Sequence, residues 1–152
     1  MTGAESARFP GSDALAGPFD RPLPEPPADA LILGIERTSL RQIRAVIAGF
    51  AYAAGVAEGD VPDLVLAVDE LATNSVRHAG GAGTLLVWRE SDAVICEVRD
   101  RGRIENPLAG RVDPPCTTLG GRGLWMANQL CELVQIRSFA DGGAVRVHKR
   151  VA

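Results

Sequence analysis

The sequence has no hydrophobic run of the roughly 18 residues that a bilayer-spanning helix needs, and no basic start followed by an apolar stretch. We therefore expect no membrane span, no secretory signal and a cytoplasmic location. It also has no basic block. Sixteen Lys and Arg residues against nineteen Asp and Glu residues leave a net charge of −3, which argues against a nucleic-acid-binding surface.

Cysteine and lysine are scarce, and two nucleotide-binding signatures are missing. The three cysteines, Cys96, Cys116 and Cys131, are odd in number and widely spaced, which indicates neither a disulfide framework nor a zinc site. Lys149 is the only lysine. No Gly-Lys-Ser/Thr sequence follows a glycine-rich loop, and no His-Arg-Asp catalytic loop occurs. A Walker A nucleotide site and the common protein-kinase fold are therefore excluded.

What is present is the balance of a single globular domain: 152 residues, 46% hydrophobic and 23% charged. Six of the ten prolines lie in the first 27 residues, and that composition cannot bury enough surface to order itself. We predict a flexible tail over residues 1–29 and a domain over 30–152. A strand at a sheet edge, or a partner-binding segment, is the alternative for the tail.

Within the domain, apolar periodicity and glycine positions predict helices, strands and one long loop. A strand over 31–35 precedes a helix from Leu40 to a Gly55 cap and a helix from Asp60 to Gly80. A hairpin follows over 84–90 and 93–99, with an inner face including Leu86, Trp88, Val94 and Val98. Residues 103–119 form a loop long enough to be a lid. A third helix after Gly120 and a hairpin over 134–139 and 144–151 complete the chain.

This order of elements predicts the fold class. Strands joined mostly by hairpins, with helices gathered in runs, indicate an α+β protein. We expect a two-layer sandwich in which a mixed, mostly antiparallel sheet carries the helices on one face.

The second helix carries a polar stripe on the side opposite its apolar residues. Glu70, Asn74 and His78 follow one another at intervals of four residues and therefore share one helix face. Alone, this stripe is also what an ordinary solvated helix face looks like. It gains meaning from the two motifs that follow.

The second motif is Asp100-Arg101-Gly102, at the end of a buried strand. Such a sequence commonly makes a plain turn. Alternatively, the carboxylate of Asp100 accepts a hydrogen bond from the exocyclic amine of adenine, while Gly102 lets the base approach the main chain.

The third motif is the glycine cluster from Gly120 to Leu124, where a loop leads into a helix. Free amides at a helix start favour an anion, and Arg122 can add a charge-assisted bond to a phosphate. A glycine cluster at this place is equally typical of a flexible joint.

Together the three motifs resemble the GHKL ATPases in order and spacing. The segment 70–78, with letters ELATNSVRH, is similar to their N box, Asp100 to Gly102 is similar to their first glycine box, and 121–124 to their second. The wording is most similar to the anti-sigma-factor serine kinases of Gram-positive bacteria. The likeness covers roughly residues 31–151.

The resemblance implies a histidine-kinase-like fold and a site for ATP and Mg²⁺. It implies that Asn74 gives its amide oxygen to the metal ion and that Glu70 is the general base toward a serine hydroxyl or a water. Arg77 and His78 follow the family wording but receive no catalytic step. The nucleotide-binding residues that it implies are Asn74, Asp100, Gly102, Gly121, Arg122, Gly123 and Leu124.

The activity that the resemblance implies is a serine protein kinase, one that phosphorylates an anti-anti-sigma partner of the STAS type and sequesters a sigma factor. By analogy a homodimer is expected, paired through the sheet edge and the first helix. A second hypothesis is a nucleotide-gated binding module without kinase activity. It stays open because Ile104 stands where many of these enzymes have another glycine. A third and weaker hypothesis is a catalytic fragment that works with a separate phosphotransfer protein.

Overall fold

The computed structural model describes residues 4–7, 23–78, 80–102, 121–139 and 142–152. In chain order the elements are β1 Ala4–Ala7, β2 Leu31–Glu36, a 3-10 turn Arg37–Ser39, α1 Leu40–Ala54, α2 Val61–His78, β3 Ala82–Glu90, β4 Ala93–Asp100, α3 Gly121–Leu130, β5 Leu133–Phe139 and β6 Gly142–Arg150. The strands and helices predicted from residue 31 onward are thus confirmed, and most of their ends agree to within two residues. The predicted lid over 103–119 lies outside the described residues.

The strands form one sheet of six, in the order β1-β5-β6-β4-β3-β2. Every pairing between neighbours in that order is antiparallel, so the sheet has no parallel component among the described strands. The three helices cover one face of this sheet. The predicted two-layer α+β sandwich is confirmed, with a sheet that is antiparallel throughout its described part.

The core lies between the helices and the sheet because the apolar side of each helix meets alternate residues of the strands. Helix α1 contributes Ile43 and Ile47, and α2 contributes Leu64 and Val68; all four are 1% exposed or less. The strands supply the other half of the same cluster, including Leu85, Val87, Val94, Cys96, Val98, Val134, Ile136 and Val147. The described cysteines, Cys96 and Cys131, are both buried in the core.

Specific hydrogen bonds hold the C-terminal ends of α1 and α3. Gly55 ends α1 in the left-handed conformation, at φ 98°, and its amide reaches the carbonyls of Ala51 and Tyr52, as predicted for a C-terminal cap. At the end of α3, the buried ammonium of Lys149 donates to the carbonyl of Leu130 at 2.5 Å. A cation at that end is favoured by the helix dipole, so β6 holds α3 by its C-terminus.

One prediction about the hairpin is wrong. Val94 and Val98 face the helices as expected, but Leu86 and Trp88 belong to a separate cluster on the outer face of the sheet. Residues 85–88 are apolar at every position and all buried, so their alternation carried no signal of which side faces the helices. The structure assigns Leu85 and Val87 to the helix side.

The described parts of the N-terminal segment contact the edge and the outer face of the sheet. Ala4–Ala7 pairs antiparallel with β5, so for these four residues the sheet-edge alternative describes the structure. Further along, the carbonyl of Pro24 accepts a hydrogen bond from Arg146, and Ala30 packs against the outer apolar cluster. The flexibility predicted for the rest of the tail stays a prediction.

A network of buried charged side chains lies on the outer face of the sheet, opposite the helices. The carboxylate of Glu97, 2% exposed, accepts from Nε of Arg146 at 2.7 Å and from Nε of Arg99 at 2.5 Å. The guanidinium of Arg146 also lies 4.9 Å from the centre of the Trp88 ring. Since a buried carboxylate is stable only when paired and hydrogen-bonded, this network holds β4 and β6 in register under the outer face.

His148 is a second polar group of this face. Its Nε2 lies 2.9 Å from the Oε1 of Gln135 across the β5–β6 pair. Burial, with a smaller contribution from the positive charge of Arg146, lowers the pKa of His148 from 6.5 to about 4, against an opposing effect of Asp92. The folded protein therefore keeps this imidazole neutral at pH values where an unfolded chain would already bind a proton.

Acid should destabilise the protein through His148. Because the folded pKa lies below the unfolded one, this residue weakens folding only as the pH falls from about 6.5 toward 4, by a total on the order of 3 kcal/mol. Urea unfolding at about pH 7 and about pH 5 measures the loss. His148→Gln should lose less stability between these two conditions than the wild type, and equal losses would contradict the assignment.

Candidate functional site

Helix α2 supplies two polar side chains one turn apart. Glu70 and Asn74 are both half-buried and lie beside the buried positions Leu71 and Ser75. Their place follows from the sequence, because the apolar residues of α2 bind it to the sheet and turn the polar stripe to the border of the core. Near the middle of α2, Asp69 pairs with Arg44 of α1 at 3.0 Å, which ties the two helices together beside the stripe. The acid and the amide therefore stand on a well-anchored helix.

The N-terminal turn of α3 packs directly against this pair. A Cβ built on Gly123 would collide with the amide nitrogen of Asn74 and would lie 3.4 Å from the backbone oxygen of Glu70. A side chain at this position would therefore require the Asn74 amide or the start of α3 to move. The glycine of the second glycine motif therefore brings the start of α3, with the backbone amides of its first turn, against the amide of Asn74.

Asp100 is held from two sides at the end of β4. Its Oδ2 accepts a hydrogen bond from the hydroxyl of Ser75 at 2.5 Å, and its Oδ1 accepts from the backbone amide of Gly102 at 2.8 Å. The carboxylate itself is half-buried, whereas Ser75 is fully buried. The strand-end motif thus makes the expected tight turn, and the same turn orients the acid next to α2.

Gly83 makes this approach of α2 to the sheet edge feasible. It is the register partner of Asp100 on β3. A Cβ at Gly83 would lie 2.7 Å from the carbonyl oxygen of Arg99 and 3.4 Å from the Cβ atoms of both Ser75 and Asp100. The missing side chain leaves room for α2, β3 and β4 to meet at one point.

The structure therefore brings two groups of predicted residues to the same helix. Glu70 and Asn74 meet Gly123, while Asp100 and Gly102 reach α2 through Ser75, the residue next to Asn74. The resulting site lies between the C-terminal half of α2, the end of β4 and the start of α3.

The remaining predicted residues belong to the start of α3. Gly121 and Arg122 open the helix, and the side chain of Arg122 lies outside the described part of the structure. Leu124 is 7% exposed and packs in the core, so its side chain anchors the helix start. Any direct contact between Leu124 and a ligand would therefore be made by the backbone of this residue.

The donor set suits a metal ion that brings its own ligands. The described residues contain no cluster of three or more His, Cys, Asp or Glu side chains able to enclose a metal. Mg²⁺ in phosphate-transfer sites takes one or two protein oxygens and completes its shell with phosphates and water. One amide oxygen beside a helix N-terminus fits that pattern better than it fits a zinc or calcium cage.

A cavity of about 340 Å³ opens on the other side of the sheet. It is lined by residues of β4, β5 and β6 and of the N-terminal segment, among them Leu23, Glu25, Glu97, Arg99, Arg137 and Arg146. Asp100 is the one predicted site residue in its lining. Since Glu97 and Arg99 point away from the helices, this cavity lies behind the site.

Sequence reasoning missed Ser75 and Gly83. Ser75 lies inside the segment that was read as a motif, but its spacing placed it with the apolar face, where a serine is commonly a spacer. Gly83 stands just ahead of the predicted strand, where glycine usually marks a turn. The only signal for Ser75 in the sequence is its position next to Asn74, the residue that the resemblance assigns to the metal ion.

Comparisons with known proteins agree with this architecture. The family model described as the Histidine kinase-like ATPase domain matches residues 35–149. No curated protein matches the chain. Among solved structures, the chain is similar to the crystal structure of the RsbU and RsbW domains of Rv1364c from Mycobacterium tuberculosis, with a TM-score of 0.60 and 22% identity. That match covers 82% of this chain and 33% of the other, so this chain spans about a third of its length, and the likeness shows the shared fold alone.

Replacing Gly123 by alanine should damage both the fold and the site. The added Cβ has to displace the Asn74 amide or the start of α3, which we expect to cost about 1–3 kcal/mol of folding free energy. Urea unfolding measures this cost. The matched control is Gly49→Ala on α1, where a Cβ meets nothing within 4 Å and alanine should stabilise the helix by about 0.5–1 kcal/mol. Equal effects at the two glycines would contradict the close packing at Asn74.

Proposed function

Because the chain belongs to the family of Histidine kinase-like ATPase domains, we propose that it is a serine protein kinase that uses Mg-ATP and phosphorylates an anti-anti-sigma partner of the STAS type. The observation that carries the proposal is the meeting of three elements on α2. The amide of Asn74 and the backbone oxygen of Glu70 lie against the start of α3, and Asp100 is joined to α2 through Ser75. The acid and the amide therefore stand on α2, and the carboxylate that we propose for base recognition is hydrogen-bonded to the same helix.

In this proposal Glu70 moves a proton. Its carboxylate takes the proton of a serine hydroxyl as the hydroxyl oxygen attacks the terminal phosphate of ATP, and ADP leaves. Half-burial on α2 suits this role, because a carboxylate at the border of the core reaches a substrate and is still held in place. Catalysis then consists mostly of positioning and charge neutralisation.

Asn74 holds the metal in this proposal. Its amide oxygen binds Mg²⁺, which supplies charge neutralisation at the phosphates when it is bound. The contact with Gly123 supports the assignment, since it places the amide next to a helix N-terminus that favours an anion. Gly121, Arg122 and Gly123 then bind the phosphates, with Leu124 fixing the helix start from the core.

Asp100 and Gly102 read the adenine base in this proposal. The carboxylate accepts a hydrogen bond from the exocyclic amine, and Gly102 leaves room for the ring. The turn 100–102 is kept tight by the Gly102 amide on Oδ1 of Asp100. The base therefore meets an acceptor whose direction is already set before binding.

The proposed partner and regulatory role rest on likeness. The structural neighbour contains an RsbU domain and an RsbW domain in one chain, and the wording of the motif segments resembles anti-sigma-factor kinases. By the same reasoning we propose sequestration of a sigma factor and a cytoplasmic location. None of the described helices is long and apolar enough to cross a membrane.

A nucleotide-gated binding module is the second candidate. Ile104 in place of the further glycine of the first glycine box is the observation that favours it. A binder would hold its partner in a nucleotide-dependent way and leave it unmodified. The presence of both Glu70 and Asn74 on the anchored face of α2 supports the kinase over the pure binder.

We also propose a homodimer that pairs through the β2 edge of the sheet. Strand β2 ends the described sheet, and its Leu31 and Ile32 are exposed at 39% and 64%. An apolar edge strand that is left uncovered is prone to pair with another chain.

Two substitutions should separate transfer from binding. Glu70→Gln should abolish phosphate transfer, by a factor of at least about 100, and leave the Kd for Mg-ATP within about twofold, since the carboxylate acts on the acceptor hydroxyl. Asn74→Ala should weaken ATP binding in the presence of Mg²⁺ and have little effect when the metal is chelated. Calorimetry gives the affinities, and radiolabelled ATP with a candidate partner gives the transfer.

The mass of the partner after incubation with Mg-ATP decides between the two candidate functions. A gain of one phosphate on a serine excludes the pure binder. Nucleotide-dependent binding without any gain in mass would replace the kinase by the binding module. Loss of ATP binding in Glu70→Gln would contradict the role given to Glu70.

The dimer should depend on the β2 edge. Ile32→Lys places a charge on the exposed edge and should shift the mass measured by light scattering from two chains toward one. Leu66→Lys, at an exposed apolar site on α2, is the matched control and should leave the mass unchanged. A wild-type chain that stays monomeric at all accessible concentrations would overturn this part of the proposal.

A further inference from the structure

We propose that Ser75 is a positioning residue that makes the site selective for adenine, acting through Asp100. The inference rests on the proposed function, since it concerns how that same site chooses its nucleotide. Ser75 is fully buried and cannot touch a substrate. Its only route to the ligand is the 2.5 Å hydrogen bond from its hydroxyl to Oδ2 of Asp100.

The single proton of the Ser75 hydroxyl has two acceptors within reach. The carbonyl oxygen of Leu71, one turn earlier on α2, is 3.3 Å away, while Oδ2 of Asp100 is 2.5 Å away. A bond to a carboxylate is shorter and about twice as strong as a bond to a neutral carbonyl. The proton is therefore directed at Asp100, and the long contact with Leu71 is the secondary one.

Two donors on different oxygens fix the plane of the carboxylate. Ser75 binds Oδ2 and the Gly102 amide binds Oδ1, so rotation of the group would break both bonds. One donor lies on α2 and the other on the turn after β4. The orientation of Asp100 thus depends on the spacing between helix and strand end.

The close approach at Gly83 shows that this spacing is tightly set. Ser75 and Asp100 stand on different elements, yet a Cβ at Gly83 would lie 3.4 Å from the Cβ of each. No side chain intervenes, and the serine hydroxyl fills the remaining distance. A helix residue without a hydroxyl would leave Oδ2 without its buried partner.

A carboxylate fixed in this way offers only acceptors to a base. Adenine presents an amine, a donor, at C6, whereas guanine presents a carbonyl oxygen at C6. An acceptor facing an amine gains a hydrogen bond, and an acceptor facing a carbonyl meets like partial charges. The role of Ser75 is to keep Asp100 in the orientation that makes this distinction.

The test is the ratio of the affinities for ATP and GTP. Ser75→Ala removes one oxygen and adds nothing, and alanine is the better helix former. We expect the Kd for Mg-ATP to rise about tenfold, the effect of losing a hydrogen bond to a charged group, and the Kd for Mg-GTP to stay within about twofold. Thr73→Ala, which removes a hydroxyl from the same helix two residues earlier, is the control and should leave the ratio unchanged.

A double-mutant cycle shows whether Ser75 acts through Asp100. In an Asp100→Asn background the preference for ATP over GTP, measured as the Kd for Mg-GTP divided by the Kd for Mg-ATP, should already be weak. Adding Ser75→Ala should then change this quotient by less than about twofold. Ser75→Cys, with a weak donor of similar size, should shift the ratio in the same direction as Ser75→Ala and serves if the alanine variant is unstable.

The outcomes separate this inference from the proposed function. A wild-type chain that binds no ATP overturns both. A wild type that prefers ATP, with the same preference in Ser75→Ala and Ser75→Cys, overturns the role of Ser75 and leaves ATP binding standing. Equal weakening of ATP and GTP would show a merely structural role, and so would an undiminished effect of Ser75→Ala in the Asp100→Asn background.

Discussion

The hydrogen bond between Ser75 and Asp100 joins the two halves of the site. On one side stands α2, which presents Glu70 and Asn74 and against which the start of α3 packs through Gly123. On the other side stands the end of β4. Because the bond is short and partly buried, a shift of α2 along the sheet would disturb every one of these residues together. The proposed chemistry therefore depends on how α2 is seated.

Contacts on both faces of the sheet fix the position of α2 relative to the end of β4. On the helix side, Leu64, Val68 and Leu71 bury the apolar face of α2 against the strands. On the outer side, Glu97 is clamped between Arg146 and Arg99, so the last residues of β4 are held in register with β6. Asp100 follows at once. The end of β4 is thus held from the outer face of the sheet and α2 from the core, which is the preorganisation that the proposed base-reading role of Asp100 requires.

The helices and most strands could be predicted because their signals are local. Gly55 ends α1, and the spacing of apolar residues along α2 sets its buried face. The polar stripe at Glu70 and Asn74 and the strand-end Asp100 were predicted for the same reason, since each belongs to a short motif of recognisable chemistry. Local patterns thus located the candidate residues and the fold class.

What the sequence could not show is set by contacts between distant segments. The sides taken by Leu86 and Trp88 depend on which face the helices cover, and four successive apolar residues are compatible with either. Pairing of Ala4–Ala7 with β5 joins residues more than 120 positions apart. The hydrogen bond from Ser75 to Asp100 joins residues 25 positions apart. It also needs the space left by the missing side chain of Gly83, which no periodicity in the sequence indicates.

The contact of Gly123 with Asn74 has a consequence for how binding and folding are linked. The amide nitrogen of Asn74 lies where a Cβ on Gly123 would stand, so the position of the amide that we propose as a metal ligand and the position of the α3 start are set by the same contact. At its other end α3 is held by Lys149, which donates to Leu130 and lies 3.5 Å from Glu132. A ligand that pulls on the α3 start must therefore work against an anchored C-terminus. Leu124 in the first turn is packed in the core as well, so a shift of the α3 start would have to move the Asn74 amide and part of the core together.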